Sequence, residues 1–258
     1  MKPLDLIAAL DLPAAARVER RVPKTMLQEH GAPTAADKRR ISDGIEQLLW
    51  VAALKPTTIG VAEYRDEVRE YLEIAVLHMT LRVAAKETRL VELVHRAVPY
   101  PLLLVAEQDE RVHLSLAHKR WSQGEAGKTV LDGEVVGVEW DGAGDDPHGA
   151  AFRAALALGR QPRGSLFALY QGWIDTLLAL RAARVTGIFT TLVSAELALV
   201  RCNALQEYAR LEAEIGRLRD AANKERQLPR QVELNLELRR LQAALQARAK
   251  LLVAGDAQ

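Results

Sequence analysis

The stretch Tyr71–Arg82 reads YLEIAVLHMTLR. Apolar and β-tolerant residues dominate it, so it reads as a long and largely buried strand. Downstream, Glu87 to Ala97 carries Leu90, Val91 and Val94 on one face and reads as a short amphipathic helix. PYPLLLVAEQ and VHLSLAHKRW then form a hairpin around Asp109-Glu110, with Val112, Leu114 and Leu116 alternating along the second arm. TVLDGEVVGVEW adds one or two further strands. Upstream, Thr34 caps a helix predicted from Ala35 to about Leu54, because Ile41, Ile45, Leu48, Leu49 and Ala52 recur at helical spacing. Lys55-Pro56 ends it, and Thr57 to Val61 reads as a short strand. Residues 1–145 are therefore expected to be an α+β (mixed α/β) domain with an at least partly antiparallel sheet.

The run DGAGDDP, Asp141 to Pro147, breaks every periodicity. After it the pattern changes to an all-α region, residues 146–258, with a short helix at Ala151–Leu158, a GRQPRG loop, and helix from Ser165 onward. Tyr208, Leu211, Ile215, Leu218 and Ala222 follow a coiled-coil spacing, and Leu234, Leu238, Leu241, Leu245 and Leu252 carry a second stripe. The phase breaks at NKERQLPRQ. Either an antiparallel hairpin over about residues 204–252 turns near Asn223–Pro229, or one long helix carries a stutter. The hairpin is favoured, since proline inside a helix costs about 3 kcal/mol. Leu211, Ile215, Leu218, Leu234, Leu238, Leu241 and Leu245 are thus the candidate interface, and their spacing does not separate an internal hairpin from a dimer seam.

Composition excludes more than it assigns. Lys plus Arg number 35 against 34 acids, so any nucleic-acid surface must come from local clustering. The single cysteine, Cys202, excludes a disulfide framework and a multi-cysteine zinc site. The opening MKPLDLIAALDLP lacks a signal-peptide pattern, and no apolar run reaches the ~18 residues of a membrane span, so a cytoplasmic protein without membrane contact is expected.

SQGEAGKT, Ser122 to Thr129, ends like a phosphate-binding loop, but its first glycine is replaced by Ser122 and a strand-like segment follows. It reads as a strand connection. His113 and His118 are five apart on a presumed strand and cannot chelate one metal together. No metal site, cofactor or catalytic residue is assigned. Glu73 in the long strand and Lys119 at a later strand end are the nearest approach to magnesium-dependent nuclease chemistry. Cations do cluster: Arg17, Arg20, Arg21 and Lys24, then Lys38, Arg39 and Arg40, then His118-Lys119-Arg120-Trp121 with an aromatic ring. Such groups contact phosphate and stack bases, or simply solvate a surface.

RRVPKTMLQEHG, DKRRISDGIEQLLWVAALKPTTIGV, EYLEIAVLHMTLR, HRAVPYPLLLV and SLAHKRW, in this order, resemble the bacterial domain-of-unknown-function family 4391. SLFALYQGWIDTLLAL and RQVELNLELRRLQ extend the resemblance to longer members. The resemblance supplies no catalytic residues. It implies a setting beside helicases and DNA methyltransferases in restriction or antiphage gene clusters, and it adds Lys55, with Thr57 and Thr58, to the candidate phosphate contacts. The expected nucleic-acid-binding set is Arg20, Arg21, Lys24, Lys38, Lys55, Lys119, Arg120 and Trp121. The expected function is a non-enzymatic accessory subunit of a bacterial DNA-processing defence system that binds DNA, a helicase or a methyltransferase, or self-associates through its C-terminal helices. A degenerate magnesium-dependent nuclease and a coiled-coil adaptor that never touches nucleic acid are the rivals. Lys24, Lys38 and Lys119 converging on one face would mark the DNA-binding form.

Overall fold

The computed structural model describes residues 3–125, 127–141, 146–191 and 195–255. In chain order the elements are α1 (Pro3–Ala9), a 3-10 turn, β1 (Arg17–Arg21), α2 (Lys24–His30), α3 (Ala35–Gly44), β2 (Ile45–Leu54), α4 (Pro56–Ile59), β3 (Tyr64–Arg65), β4 (Glu70–Tyr71), β5 (Ile74–Leu81), α5 (Glu87–Ala97), β6 (Leu102–Gln108) and β7 (Arg111–Ala117). There follow β8 (Lys119–Trp121), β9 (Thr129–Leu131), β10 (Val136–Asp141), α6 (Gly149–Leu156), a second 3-10 turn, α7 (Leu166–Thr186), α8 (Ala195–Lys224) and α9 (Leu228–Gly255). The chain separates into two compact units, residues 1–177 and 178–258.

The first unit is built on a six-stranded sheet of order β1-β2-β5-β6-β7-β10. All neighbours are antiparallel except β5 and β6, which run parallel because α5 carries the chain back between them. Leu27 of α2, Ile41 of α3 and Leu90, Val91 and Val94 of α5 pack with Leu48, Ala75, Leu77, Met79, Leu102 and Leu104 on one face. The alternate residues Ile74, Val76, Leu103 and Val105 are also buried, and α1 packs on β6 and α6. Cover on both faces explains why the central strands show no polar alternation.

Two expectations fail next to this core. The helix predicted over Ala35–Leu54 stops at Gly44, and Ile45–Leu54 is strand β2. A run such as LLWVAAL satisfies helical spacing because it is apolar at nearly every position, so spacing alone decides nothing there. Gly44 marks the switch: a Cβ on it would lie 2.6 Å from Leu90 Cδ1, so α3 ends pressed on α5. The strand predicted at Thr57–Val61 is instead the single turn α4, with Pro56 at its first position. The Thr58 hydroxyl accepts from Lys55 N–H at 2.9 Å and holds that turn.

The two sheet edges differ. β1 is bulged between Arg17 and Arg20, with Glu19 at φ 49°. Its exposed residues Arg17, Glu19, Arg20 and Arg21 are all charged. Charges and a bulge keep an edge from pairing further. β10, by contrast, matches β7 without interruption from Val136 to Asp141.

In the second unit α8 and α9 pack on each other, so the break at NKERQLPRQ is a hairpin turn. Glu225 closes the connection by accepting from Arg226 and Gln227 N–H. Among the described residues no helix is long and apolar enough to cross a membrane.

Candidate nucleic-acid interface

β1 ends with Arg20 and Arg21, both exposed and opposite Trp50 and Leu49 midway along β2, and Pro23 then starts α2 at Lys24, at one end of the sheet. Lys24 Nζ donates to the Ser42 carbonyl at 3.1 Å. Arg82, which follows β5, donates to the neighbouring Asp43 carbonyl at 3.1 Å. Both cations thus meet the C-terminal carbonyls of α3, where the helix dipole favours positive charge. Gln28 bridges α2 to α3 through the Lys38 carbonyl and the Ser42 hydroxyl. Lys38 and Arg39 stay exposed, while Arg40 binds Asp37 at 2.9 Å. Partial burial together with the Arg82 and Arg21 charges holds Lys24 below the usual lysine range, against the opposing pull of Asp43 and Glu46. Like charges crowded this way favour an added anion.

Arg82 lies far along the chain from Lys24, so cations grouped by closeness in sequence do not include it. It arrives through β2–β5 pairing, in which Ile45 faces Leu81.

The other predicted cations lie at the opposite end of the sheet. The eight residues of β5 separate the two ends, roughly 26 Å at about 3.3 Å per residue. Lys119 does not join Lys24 and Lys38, and it is not a surface contact. It opens β8 rather than ending a strand, is only 2 % exposed, and donates to the His95 and Val98 carbonyls at the end of α5. It is a buried counterpart of the Lys24 cap. Burial pushes its amine down to about 7. Lys55, half-exposed, pairs with the buried Glu73 at 3.0 Å, so the lysine beside Glu73 is Lys55 and not Lys119. Glu73 itself lies just before β5 rather than inside a strand.

Arg120 and Trp121 sit half-buried on the β8–β9 ribbon. Arg120 leans on Asp132 at 3.8 Å, but Asp132 is gripped mainly by Arg69, at 2.6 Å. Arg69 in turn lies over the Phe167 ring. Behind it Tyr71 hydrogen-bonds His118 Nδ1, His118 Nε2 meets Gln171 Oε1 at 2.7 Å, and Gln171 donates to Asp175 at 2.9 Å. This order makes Tyr71 the donor to Nδ1 and leaves the imidazole proton on Nε2. Both ring nitrogens are engaged, and burial lowers the His118 pKa, so the imidazole is a neutral structural link.

Asp66 and Glu70, acids close to Glu73 in sequence that could complete a nuclease site, are engaged by other partners. Asp66 binds Tyr64 at 2.7 Å and the Val68 and Arg69 amides, and Glu70 pairs with Arg65. Among the described residues no three His, Cys, Asp or Glu side chains converge as a metal site. Gly127-Lys128-Thr129 lies on the β8–β9 connection, with Lys128 paired to Glu125, and leads into a strand rather than a helix.

The leucine stripes face each other inside the hairpin. Ile215, Ala222, Leu234 and Leu238 form a cluster with Leu218, Leu241 and Leu245 packed against it, and Leu211 is buried nearby in the sequence of α8. On α9, Leu228, Val232 and Leu236 are exposed. Their spacing of four places them on one stripe of the helix.

The chain matches a family model described as a domain of unknown function, DUF4391, over residues 10–245. No curated protein and no solved structure matches it.

Proposed function

The chain belongs to the DUF4391 family, and we propose that it is a non-enzymatic, cytoplasmic accessory subunit of a bacterial DNA-processing defence system, contacting DNA through the rim of Arg20, Arg21, Lys24, Lys38 and Arg82. Because Lys119 is buried away from Lys24 and Lys38, the observation that carries this reading is Lys24 and Arg82 meeting at the neighbouring Ser42 and Asp43 carbonyls of α3, each at 3.1 Å. A phosphate brought there would relieve the mutual repulsion, and a duplex backbone supplies phosphates in series. The exposed stripe Leu228, Val232 and Leu236 is the surface through which a helicase or DNA methyltransferase of the same system would be engaged. Those partners are inferred from the setting of family members, not from the geometry.

A second reading rests on Glu73. Its Oε1 is buried without a hydrogen-bond partner while Oε2 binds Lys55. A carboxylate oxygen in this position, beside a lysine, is a feature that magnesium-dependent nucleases use.

One experiment separates the two. Fluorescence anisotropy is measured with labelled single- and double-stranded DNA and magnesium across a salt series, and each sample is then run on a denaturing gel. The accessory reading predicts intact DNA and binding that weakens with a log–log salt slope of roughly −3 if three phosphates are contacted. Cleavage that disappears in Glu73→Ala would replace it with the nuclease. Absence of binding at low salt would leave only the protein-partner role.

A further inference from the structure

We propose that the protein pairs with a second copy of itself along β10, joining two sheets edge to edge around a twofold axis perpendicular to them. The unequal edges are the starting point. β1 is closed to pairing by its bulge, the left-handed Glu19 and its charged surface. β10 has neither a bulge nor a left-handed residue: Val136–Asp141 reads VGVEWD, with Glu139 and Asp141 as its charged residues, in unbroken register with β7, and it ends the sheet. A regular edge without lysine, proline or bulge is a template for another strand.

The occupant follows from the order of side chains. Val138 and Trp140 are buried on one face, with Trp140 stacked on Phe152 at 5.1 Å. Gly137 and Glu139 lie on the other. An antiparallel register centred on Val138 sets Val138 against Val138 of the second copy, Val136 against its Trp140, and Gly137 against its Glu139. Aromatic and β-branched side chains opposite one another stabilise a sheet, whereas like charges opposite destabilise it. A register centred on Glu139 would set Glu139 against Glu139. One centred on Gly137 would set Trp140 against Glu134. Only the Val138 register avoids both.

That register also brings opposite partners together. The His113 imidazole fills the space where a Cβ of Gly137 would stand, with Nε2 the nearest atom. Its Nδ1 lies 2.9 Å from Glu87. The Glu139 carboxylate of the second copy, arriving opposite Gly137, would meet the Nε2 side of that ring. By symmetry the contact is made twice, and the pairing closes on itself as a dimer rather than growing into a fibre.

Sedimentation velocity of the full chain over a wide concentration range is the test. The wild type is expected to pass from monomer to dimer as concentration rises. Glu139→Arg, an exposed change, is expected to weaken dimerisation at least tenfold. In a Cys202→Ser background, Val138→Cys is expected to form a symmetric disulfide dimer on a non-reducing gel. Directly opposed strand residues lie about 4.5–5.5 Å apart at Cα, within disulfide reach. A monomer at every concentration would overturn the proposal. So would a dimer that Glu139→Arg leaves intact, or one abolished by Val232→Glu on the helical hairpin.

Discussion

The two ends of the sheet use the same device for different purposes. Lys24 and Lys119 each donate to carbonyls at a helix C-terminus, Lys24 to α3 and Lys119 to α5. Lys119 is sealed in, and burial is the cause of its depressed pKa. Lys24 is only half-buried and has Arg82 and Arg21 beside it. A capping lysine is therefore structural at one end and part of an anion-attracting rim at the other. What separates them is the company each keeps.

The contrast breaks first on stability. Lys119→Ala removes a buried cap, leaves carbonyls unanswered and opens a cavity, an expected loss of about 2–4 kcal/mol in urea unfolding. Equal stability of wild type and variant would mean that the amine is not engaged. Its pH dependence sharpens the point. The folded pKa of Lys119, about 7, lies below that of the unfolded chain, so between those values the unfolded state binds more protons. Wild-type stability should therefore rise relative to Lys119→Met as pH goes from about 7 to 10.

His95, fully buried beside Ser115 and held at about 3 by burial, carries the same sign at lower pH. The folded protein keeps it neutral, so stability falls as pH drops from about 6.5 toward 3. Melting temperatures of wild type and His95→Gln across that window would show a flatter profile in the variant. In the second unit, Leu238→Ala should cost about 2 kcal/mol, since it faces the hairpin seam. Smallest of all, Arg120→Ala should change stability by less than about 0.5 kcal/mol, because Asp132 keeps Arg69.

The sequence made some of this legible and concealed the rest for physical reasons. The helix Glu87–Ala97 stood out because its apolar residues recur on one face, and Tyr71–Arg82 read as a strand from its β-tolerant composition, although only Ile74–Leu81 is β5 and Tyr71 belongs to β4. Proline and a broken leucine phase located the helical turn. β2 was hidden, because a strand apolar on both faces has no period to detect, and only Gly44 marked where α3 gives way to it. The site was less legible than the fold. Lys119 looks like any basic residue in a cationic run until the sheet buries it, and Arg82 joins Lys24 only through strand pairing. Proximity in sequence grouped Lys119 with Arg120. Proximity in space caps a helix with one and leaves the other half-buried beside Asp132 on the β8–β9 ribbon.

The most direct test of the account reverses equal charge at the two ends. Duplex DNA binding is measured by anisotropy at low salt for Arg21→Glu/Lys24→Glu and for Lys55→Glu/Arg120→Glu, with circular dichroism confirming the fold of each. The account predicts that the first pair lowers affinity at least tenfold and reduces the salt slope by about 2, with the second pair binding nearly as the wild type does. Loss of binding in the second pair alone would contradict it and move the nucleic-acid surface to the Glu73 end of the sheet.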